Sequence, residues 1–293
     1  MRYTIYFIMM ILLTTFMPGC QRPSQDQDEK DKTVRIVYTE WSEAVALTHL
    51  SEILLEDKLE YEVQTKLTEV ESAYKEVAEG KAHVFTDAWL PRTHSRYYEK
   101  FGQSVVKLGV IYPGARTGLL VPDYSEYESI EDLKGEKIQI LGIDTGAGVM
   151  QQTRRAIERY GLEHADLLSL SEEKMTARFE EHYRRRKEVI VTGWEPHWIF
   201  DRYEVRFLTD PYKQYGQQEN IFALGAKNLE KEHPRLVRYF ERMQLSERQI
   251  NSLINYMKRE DDPEKGIREW IRKNEYIVNQ WVKNLKPDRK KIM

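Results

Sequence analysis

The sequence feature that most limits the possible folds is a repeated alternation of short apolar strands with longer helices. TVRIVYTEW, residues 33–41, alternates apolar and polar side chains as a strand does, and the next 18 residues, 42–59, repeat apolar residues at helical spacing. YEVQTKLTE, VESAYKEVAEG and AHVFTDAWL continue as strand, helix and strand. This order predicts an α/β fold with mostly parallel sheets flanked by helices.

A second strand and helix series begins later in the chain. Its predicted strands are TGLLVP, KIQILGI and EVIVTGW, its predicted helices are SIEDLKG and GVMQQTRRAIERYGL, and NIFALGA is a further strand before a mostly helical end. Two series predict two lobes with a ligand cleft between them. We place the first lobe at residues 33–113 plus 221–293 and the second at 114–220.

The amino-terminal segment has the composition of a secretory signal. Residues 1–19 combine an arginine with an apolar stretch shorter than the roughly 20 residues that a membrane-spanning helix needs. MPGC resembles the lipobox of bacterial lipoproteins, which would make Cys20 the lipidated first residue of the mature chain. Residues 20–32 then form a flexible polar tether. We expect an extracytoplasmic protein anchored by lipid to the outer face of the cell membrane; the alternative is an ordinary signal peptide with an incidental cysteine.

Charge and motifs argue against several other classes of protein. The 45 Lys and Arg residues nearly balance the 48 Asp and Glu residues, so no net field favours nucleic acid. The seven histidines form no H-E-x-x-H motif, and no G-x-S-x-G elbow occurs. DTGAG, residues 144–148, occurs once, whereas aspartic proteases need two such aspartates. We therefore expect no enzyme activity, no cofactor and no metal site.

Three tryptophans lie at the carboxyl ends of predicted strands: Trp41, Trp89 and Trp194. Ligands of open α/β sheets bind at such strand ends, although a single tryptophan there can equally well cap a core. An indole face attracts a cation by roughly 0.5–2 kcal/mol, and a quaternary ammonium has no N–H by which acceptors could select it. Three such residues predict an aromatic cage for a methylated amine.

Several segments carry a family resemblance that covers nearly all of the mature chain. They include WSEAVALTHL, YKEVAEGKAHVFTDAWLPRTH, ILGIDTGAGVM, VTGWEPHWIF and LTDPYKQYGQQENI. In these segments the sequence resembles the substrate-binding proteins of glycine betaine and related osmoprotectant ABC transporters. The resemblance implies a two-lobed periplasmic-binding-protein-like (type II) fold. It also implies a monomer that closes around a quaternary ammonium ligand and delivers it to a membrane permease.

The same resemblance implies roles for individual residues. Trp89 and Trp194 correspond to two members of a three-tryptophan cage, and the backbone amides of Ala44 and Val45 correspond to those that hold the ligand carboxylate. The third cage tryptophan of the family has no counterpart at the expected place, where Leu245 or a neighbour stands. Tyr239 or Phe240 are alternative lining residues.

Because the third tryptophan is missing at the expected place, the sequence does not determine which ligand binds. An aliphatic wall loses one cation–π contact, about 1 kcal/mol, so choline, carnitine, a sulfonium analogue or an unmethylated ligand are alternatives to glycine betaine. A different class of function is also open: a surface sensor or interaction lipoprotein of the same fold with altered or lost betaine binding.

Aromatic and imidazole side chains near the predicted cage have weaker assignments. We expect Trp194 to face the ligand and Trp198 to support it by packing. Trp41 is a further candidate for the cleft. His94 and His197 are candidates to donate a hydrogen bond to a ligand carboxylate, with a structural hydrogen bond as the alternative for each.

Overall fold

A computed structural model of the protein describes residues 32–286, so the predicted signal peptide, Cys20 and most of the predicted tether lie outside the described residues. The strands are β1 (Thr33–Tyr38), β2 (Glu62–Leu67), β3 (Val84–Leu90), β4 (Val105–Pro122), β5 (Ile138–Gly142), β6 (Ala165–Ser169), β7 (Ile190–Glu195), β8 (Val205–Phe207) and β9 (Glu219–Ala226). The α-helices are α1 (Ser42–Leu59), α2 (Val70–Ala78), α3 (Ser95–Phe101), α4 (Gly148–Tyr160), α5 (Glu172–Arg184), α6 (Ile199–Arg202), α7 (Leu229–Glu232), α8 (Pro234–Arg242), α9 (Glu247–Arg259), α10 (Pro263–Lys273) and α11 (Glu275–Val282).

These strands form one sheet in the order β2-β1-β3-β9-β4-β7-β5-β6. Strand β8 lies outside this order and pairs with β4. Pairing is parallel between β1 and its neighbours β2 and β3, and between β5 and its neighbours β6 and β7. The pairs that involve β4 or β9 are antiparallel. The predicted α/β architecture is present, with parallel pairing on both outer sides of the sheet. The βα alternation does not reveal the central antiparallel pairs, because antiparallel neighbours need no crossover helix.

Strand β4 joins the two outer parts of the sheet. Residues 105–115 of β4 pair with β9, and residues 116–120 pair with β7. We call β2, β1, β3, β9 and residues 105–115 the first half-sheet, and residues 116–122, β7, β5, β6 and β8 the second half-sheet. The change of partner falls close to the lobe boundary predicted after residue 113, and the lobe boundaries themselves remain a prediction.

Helix α1 runs over the residues that its apolar spacing predicted. Trp41 is the N-cap residue, with extended backbone, and the helix stops where Glu60 adopts a left-handed conformation at φ 60°. One face of this helix contributes to the core, since the side chains of Leu47, Leu50 and Leu54 are fully buried. The position of Trp41 follows from this: it stands between the end of β1 and the first turn of α1.

Several elements were not predicted from the sequence. They are residues 105–116 of β4, strand β6 and helix α5, and the short elements α3, α6 and β8. Helix α5 is strongly polar, since only Glu172, Met175, Thr176 and Phe179 are buried along it. Among the described residues, no helix is both long and apolar enough to cross a membrane.

Candidate functional site

A cavity with about 260 Å³ of empty space lies where the strand ends of both half-sheets meet. The lining residues are Trp41, Glu43, Trp89, Thr93, His94, Thr117, Ile143, Ala147, Gly148, Val149 and Trp194. Three indole side chains therefore line one common cavity.

The sheet brings these three indoles together from distant parts of the chain. Trp41 follows β1, and Trp89 is the last but one residue of the next strand, β3, which runs parallel to β1. Trp194 lies in β7 opposite Thr117 of β4, on the second half-sheet. Because parallel strands direct their carboxyl ends to the same edge, Trp41 and Trp89 face the cavity from one side, and Trp194 completes it from the other.

A glycine allows the two sides of the cavity to approach closely. Gly148 is the first residue of α4, and a Cβ atom there would lie 2.2 Å from the carbonyl oxygen of Thr93. Any larger side chain would push the start of α4 away from the loop after β3. Gly148, the last residue of DTGAG, therefore allows the close approach of the helix start to this loop.

Each of the three indole N–H groups donates a hydrogen bond to a carboxyl group. The bonds are Trp41 Nε1 to Asp144 Oδ2 at 3.1 Å, Trp89 Nε1 to Asp87 Oδ1 at 2.9 Å and Trp194 Nε1 to Glu43 Oε2 at 3.0 Å. Two of these bonds join residues more than 100 positions apart, since the sequence separations are 103 and 151. A hydrogen bond at the ring edge fixes the orientation of each indole at the cavity.

Glu43 and Asp87 are fully buried, and each uses only one of its oxygens. Glu43 Oε1 and Asp87 Oδ2 are buried without a hydrogen-bond partner. Burial, together with the negative charges of Asp87 and Glu172, raises the pKa of Glu43 well above its ordinary value. Burial likewise raises the pKa of Asp87, against the opposing hydrogen bond from Trp89. Unpaired buried carboxyl oxygens are rare and typical of functional sites.

His94 lines the cavity as a neutral imidazole. Its Nδ1 accepts a hydrogen bond from the backbone N–H of Trp89 at 3.2 Å, so the proton is on Nε2. Burial lowers the pKa of His94 to about 3. The Nε2 atom is buried and has no hydrogen-bond partner among the described residues, which leaves one donor unused beside the cavity.

His197 and Trp198 belong to a second buried cluster that does not line the cavity. Both donate to Glu172 Oε1, at 3.2 Å from His197 Nε2 and 3.3 Å from Trp198 Nε1. Ser42 donates to the same carboxylate from its backbone N–H at 2.8 Å and from its hydroxyl, and Lys258 Nζ lies 3.8 Å away. We call these five residues the Glu172 cluster. Trp198 therefore lies in this cluster, while Trp194 lines the cavity.

The predicted anion-binding amides and Leu245 are not in the cavity lining. The Val45 amide donates to the carbonyl oxygen of Trp41 at 2.9 Å and so closes the first turn of α1. Ala44 is fully buried beside it. Leu245 is fully buried in the core, where its amide donates to Ile111. The third indole of the cavity is therefore Trp41, and no aliphatic wall from Leu245 replaces it.

Sequence reasoning missed Glu43 and Asp87. Glu43 looked like an ordinary acidic residue in the first turn of a helix, which is common for electrostatic reasons. Asp87 carried a usable signal, because it is a charged residue inside VFTDAWL, a strand whose seven positions are all buried. A charge within a buried strand needs a compensating partner, and this one has the indole of Trp89.

Within residues 32–286, no group of three or more His, Cys, Asp or Glu side chains is arranged to hold a metal ion. The lining offers three indoles, the carboxyl group of Glu43 and the imidazole of His94. Such a set suits non-covalent recognition of a small cation.

The mixed sheet flanked by helices, with a cavity at the junction of two half-sheets, defines a type II periplasmic binding protein. Residues 32–273 match the family described as the substrate-binding domain of the ABC-type glycine betaine transport system. The chain belongs to this family.

Individual relatives agree with the family match. The chain is 32% identical over 160 residues to a glycine betaine/carnitine transport binding protein of Listeria monocytogenes, and the alignment spans 53% of each chain. A closed structure of lactococcal OpuAC complexed with glycine betaine is 32% identical with a TM-score of 0.81, covering 86% of this chain and 99% of that one. ProX of Borrelia burgdorferi, a glycine betaine and L-proline binding protein, is 30% identical with a TM-score of 0.81, covering 87% and 97%.

Proposed function

We propose that this protein is the extracytoplasmic solute-binding component of an ABC importer and that it binds a small quaternary ammonium compound. The single observation that carries the proposal is the meeting of Trp41, Trp89 and Trp194 at one cavity. Three aromatic faces attract a methylated ammonium that hydrogen-bond acceptors alone cannot select. The glycine betaine named for the lactococcal and Listeria relatives belongs to this chemical class.

The binding free energy comes from two sources in this proposal. Desolvated cation–π contacts contribute roughly 0.5–2 kcal/mol for each ring. The carboxyl groups of Glu43, Asp87 and Asp144, which accept the three indole N–H groups, add a negative potential behind the rings. Closure of two lobes around the ligand would exclude water and strengthen both contributions.

The proposal includes the location and the partners of the protein. A lipid on Cys20 would hold the chain at the outer face of the cell membrane, and the protein would act as a monomer that delivers its ligand to a permease. Replacement of Cys20 by serine is expected to move the protein from the membrane fraction to the soluble fraction. An unchanged distribution would rule out the lipid anchor and leave the ligand proposal intact.

The test of binding is isothermal titration calorimetry of the wild-type protein against glycine betaine, choline, carnitine and proline in parallel. We expect saturable binding of at least one quaternary ammonium compound. Proline serves as the comparison without a trimethylammonium group. Binding of none of the four would overturn the proposal and favour a sensor or interaction protein of the same fold.

A further inference from the structure

The cavity contains one unused hydrogen-bond acceptor and one unused donor. The acceptor is Glu43 Oε1 and the donor is His94 Nε2, both buried and without a partner among the described residues. Leaving such groups unpaired is unfavourable, so a ligand that pairs them is stabilised. A hydroxyl group donates one hydrogen bond and accepts others, and so it can satisfy both. A carboxylate accepts only.

The charge around the cavity is one-sided. Asp87, Asp144 and Glu43 accept the three indole N–H groups. Among the described residues, no Lys or Arg side chain forms an ion pair with any of these three carboxyl groups. The imidazole of His94 is neutral, since burial lowers its pKa to about 3. The lining therefore offers a ligand carboxylate no positive charge.

A bound cation and a bound carboxylate would have opposite effects on Glu43. Burial and the neighbouring charges of Asp87 and Glu172 raise the pKa of Glu43, which means that its ionised form is costly in the empty cavity. A quaternary ammonium against the indoles would lower that cost. The carboxylate of a betaine would raise it, because two negative groups would share a site with low dielectric constant.

We propose that Glu43, backed by Asp87 and Asp144, makes the cavity selective for quaternary ammonium alcohols of net positive charge over zwitterionic betaines. Glu43 Oε1 accepts the ligand hydroxyl, and the three carboxyl groups orient the indoles and supply the negative charge that the cation meets. Choline is the simplest ligand of this class. The inference rests on the proposed function, because it assumes that a quaternary ammonium group occupies the indole cage.

The test compares choline with glycine betaine, which carry the same trimethylammonium group, by calorimetry on the wild-type protein and on Glu43→Gln. Glutamine keeps an oxygen that can accept from Trp194 but removes the charge. We expect the wild type to bind choline about tenfold more tightly than glycine betaine. Glu43→Gln should lower the choline affinity about tenfold and leave the glycine betaine affinity within about threefold.

Two further variants make the result specific. Glu173→Gln makes the same chemical change at an exposed site and should leave both affinities unchanged. Asp144→Asn alters a half-buried partner of Trp41 and should lower the preference for choline by a smaller factor. If circular dichroism shows that Glu43→Gln does not fold, Asp144→Asn replaces it in the comparison of the two ligands.

The possible results separate this inference from the proposed function. A wild type that binds glycine betaine more tightly than choline would overturn the inference and leave the proposed function standing. An equal loss for both ligands in Glu43→Gln would show a merely structural role and would also overturn it. A wild type that binds neither ligand, nor carnitine, would overturn the proposed function itself.

Discussion

Two buried glutamates near the cavity, Glu43 and Glu172, have opposite surroundings. Glu172 accepts hydrogen bonds from Ser42, His197 and Trp198, and Lys258 lies beside it. Burial alone would raise its pKa, but these partners outweigh burial and lower the pKa to about 2. Glu43 accepts from one indole only, and its pKa is raised.

This difference distinguishes Glu172, whose charge has a structural role, from Glu43, whose free oxygen is available to a ligand. A buried carboxylate with several donors holds its chain segments in place, and the Glu172 cluster joins the starts of α1 and α5 to the segment after β7 and to α9. A buried carboxyl with a free oxygen at a cavity costs stability in the absence of a ligand. We therefore expect Glu172 to matter for folding and Glu43 for binding.

We expect the largest effect on stability from the replacement of Glu172. Glu172→Ala leaves the donors of Ser42, His197 and Trp198 buried without an acceptor, so it should lower the free energy of unfolding by about 3 kcal/mol. Urea denaturation followed by circular dichroism measures this change. The exposed neighbour variant Glu173→Ala should stay within about 0.5 kcal/mol of the wild type. Equal stability of all three proteins would contradict the assigned role of the Glu172 cluster.

The next effect concerns the two tryptophans of one segment. Trp194→Ala removes a cavity wall and should lower the affinity for the best quaternary ammonium ligand about tenfold or more. Trp198→Ala removes a member of the Glu172 cluster and should lower the melting temperature with little change in affinity. Tryptophan fluorescence titration and thermal melts of the two variants test this pair. A reversed result would exchange the roles of Trp194 and Trp198.

The two glutamates should also give stability a pH dependence of opposite sign. The pKa of Glu172 falls from 4.5 in an unperturbed chain to about 2 in the fold, so its contribution is complete above pH 4.5 and is lost as the pH falls toward 2. The pKa of Glu43 is raised, so its carboxyl destabilises the fold increasingly as the pH rises above 4.5.

Urea midpoints of the ligand-free wild type, Glu172→Gln and Glu43→Gln across this range separate the two contributions. We expect Glu172→Gln to be less stable than the wild type near neutral pH, with a gap that closes as the pH falls toward 2. Glu43→Gln should be more stable than the wild type near neutral pH, with a gap that closes toward pH 4.5. Gaps that do not change with pH would argue against both shifts.

The smallest expected effect is at the exposed edge of the Glu172 cluster. The side chain of Lys258 is 41% exposed, with its Nζ 3.8 Å from Glu172 and 5.2 Å from the ring centre of Trp198. Because water screens such a contact, Lys258→Ala should cost only about 0.5–1 kcal/mol of unfolding free energy. A loss as large as that of Glu172→Ala would mean that the lysine, and not the hydrogen-bond donors, holds the carboxylate.

The tryptophans at the strand ends were predictable from local patterns, but the carboxyl groups that accept their indole N–H groups were not. Trp41, Trp89 and Trp194 stand at the ends of apolar runs, which a reader of the sequence can find by periodicity. The bond between Trp194 and Glu43 joins residues 151 positions apart, and no local pattern predicts such a pair. The first part of β4 was missed for a related reason, since it pairs antiparallel with β9 and lies outside the βα alternation.

The sequence by itself determined the α/β class, the presence of helix α1, the family and the three tryptophans at strand ends, because each depends on neighbouring residues or on short motifs. Only the tertiary structure decided that Trp41, and not Leu245, lines the cavity with Trp89 and Trp194, and that each indole has a carboxyl partner. It also decided which glutamate is fully paired. Burial and hydrogen bonding depend on segments that meet only when the sheet has assembled. The charge state of a buried side chain therefore depends on residues distant in the sequence and cannot be inferred from its neighbours along the chain.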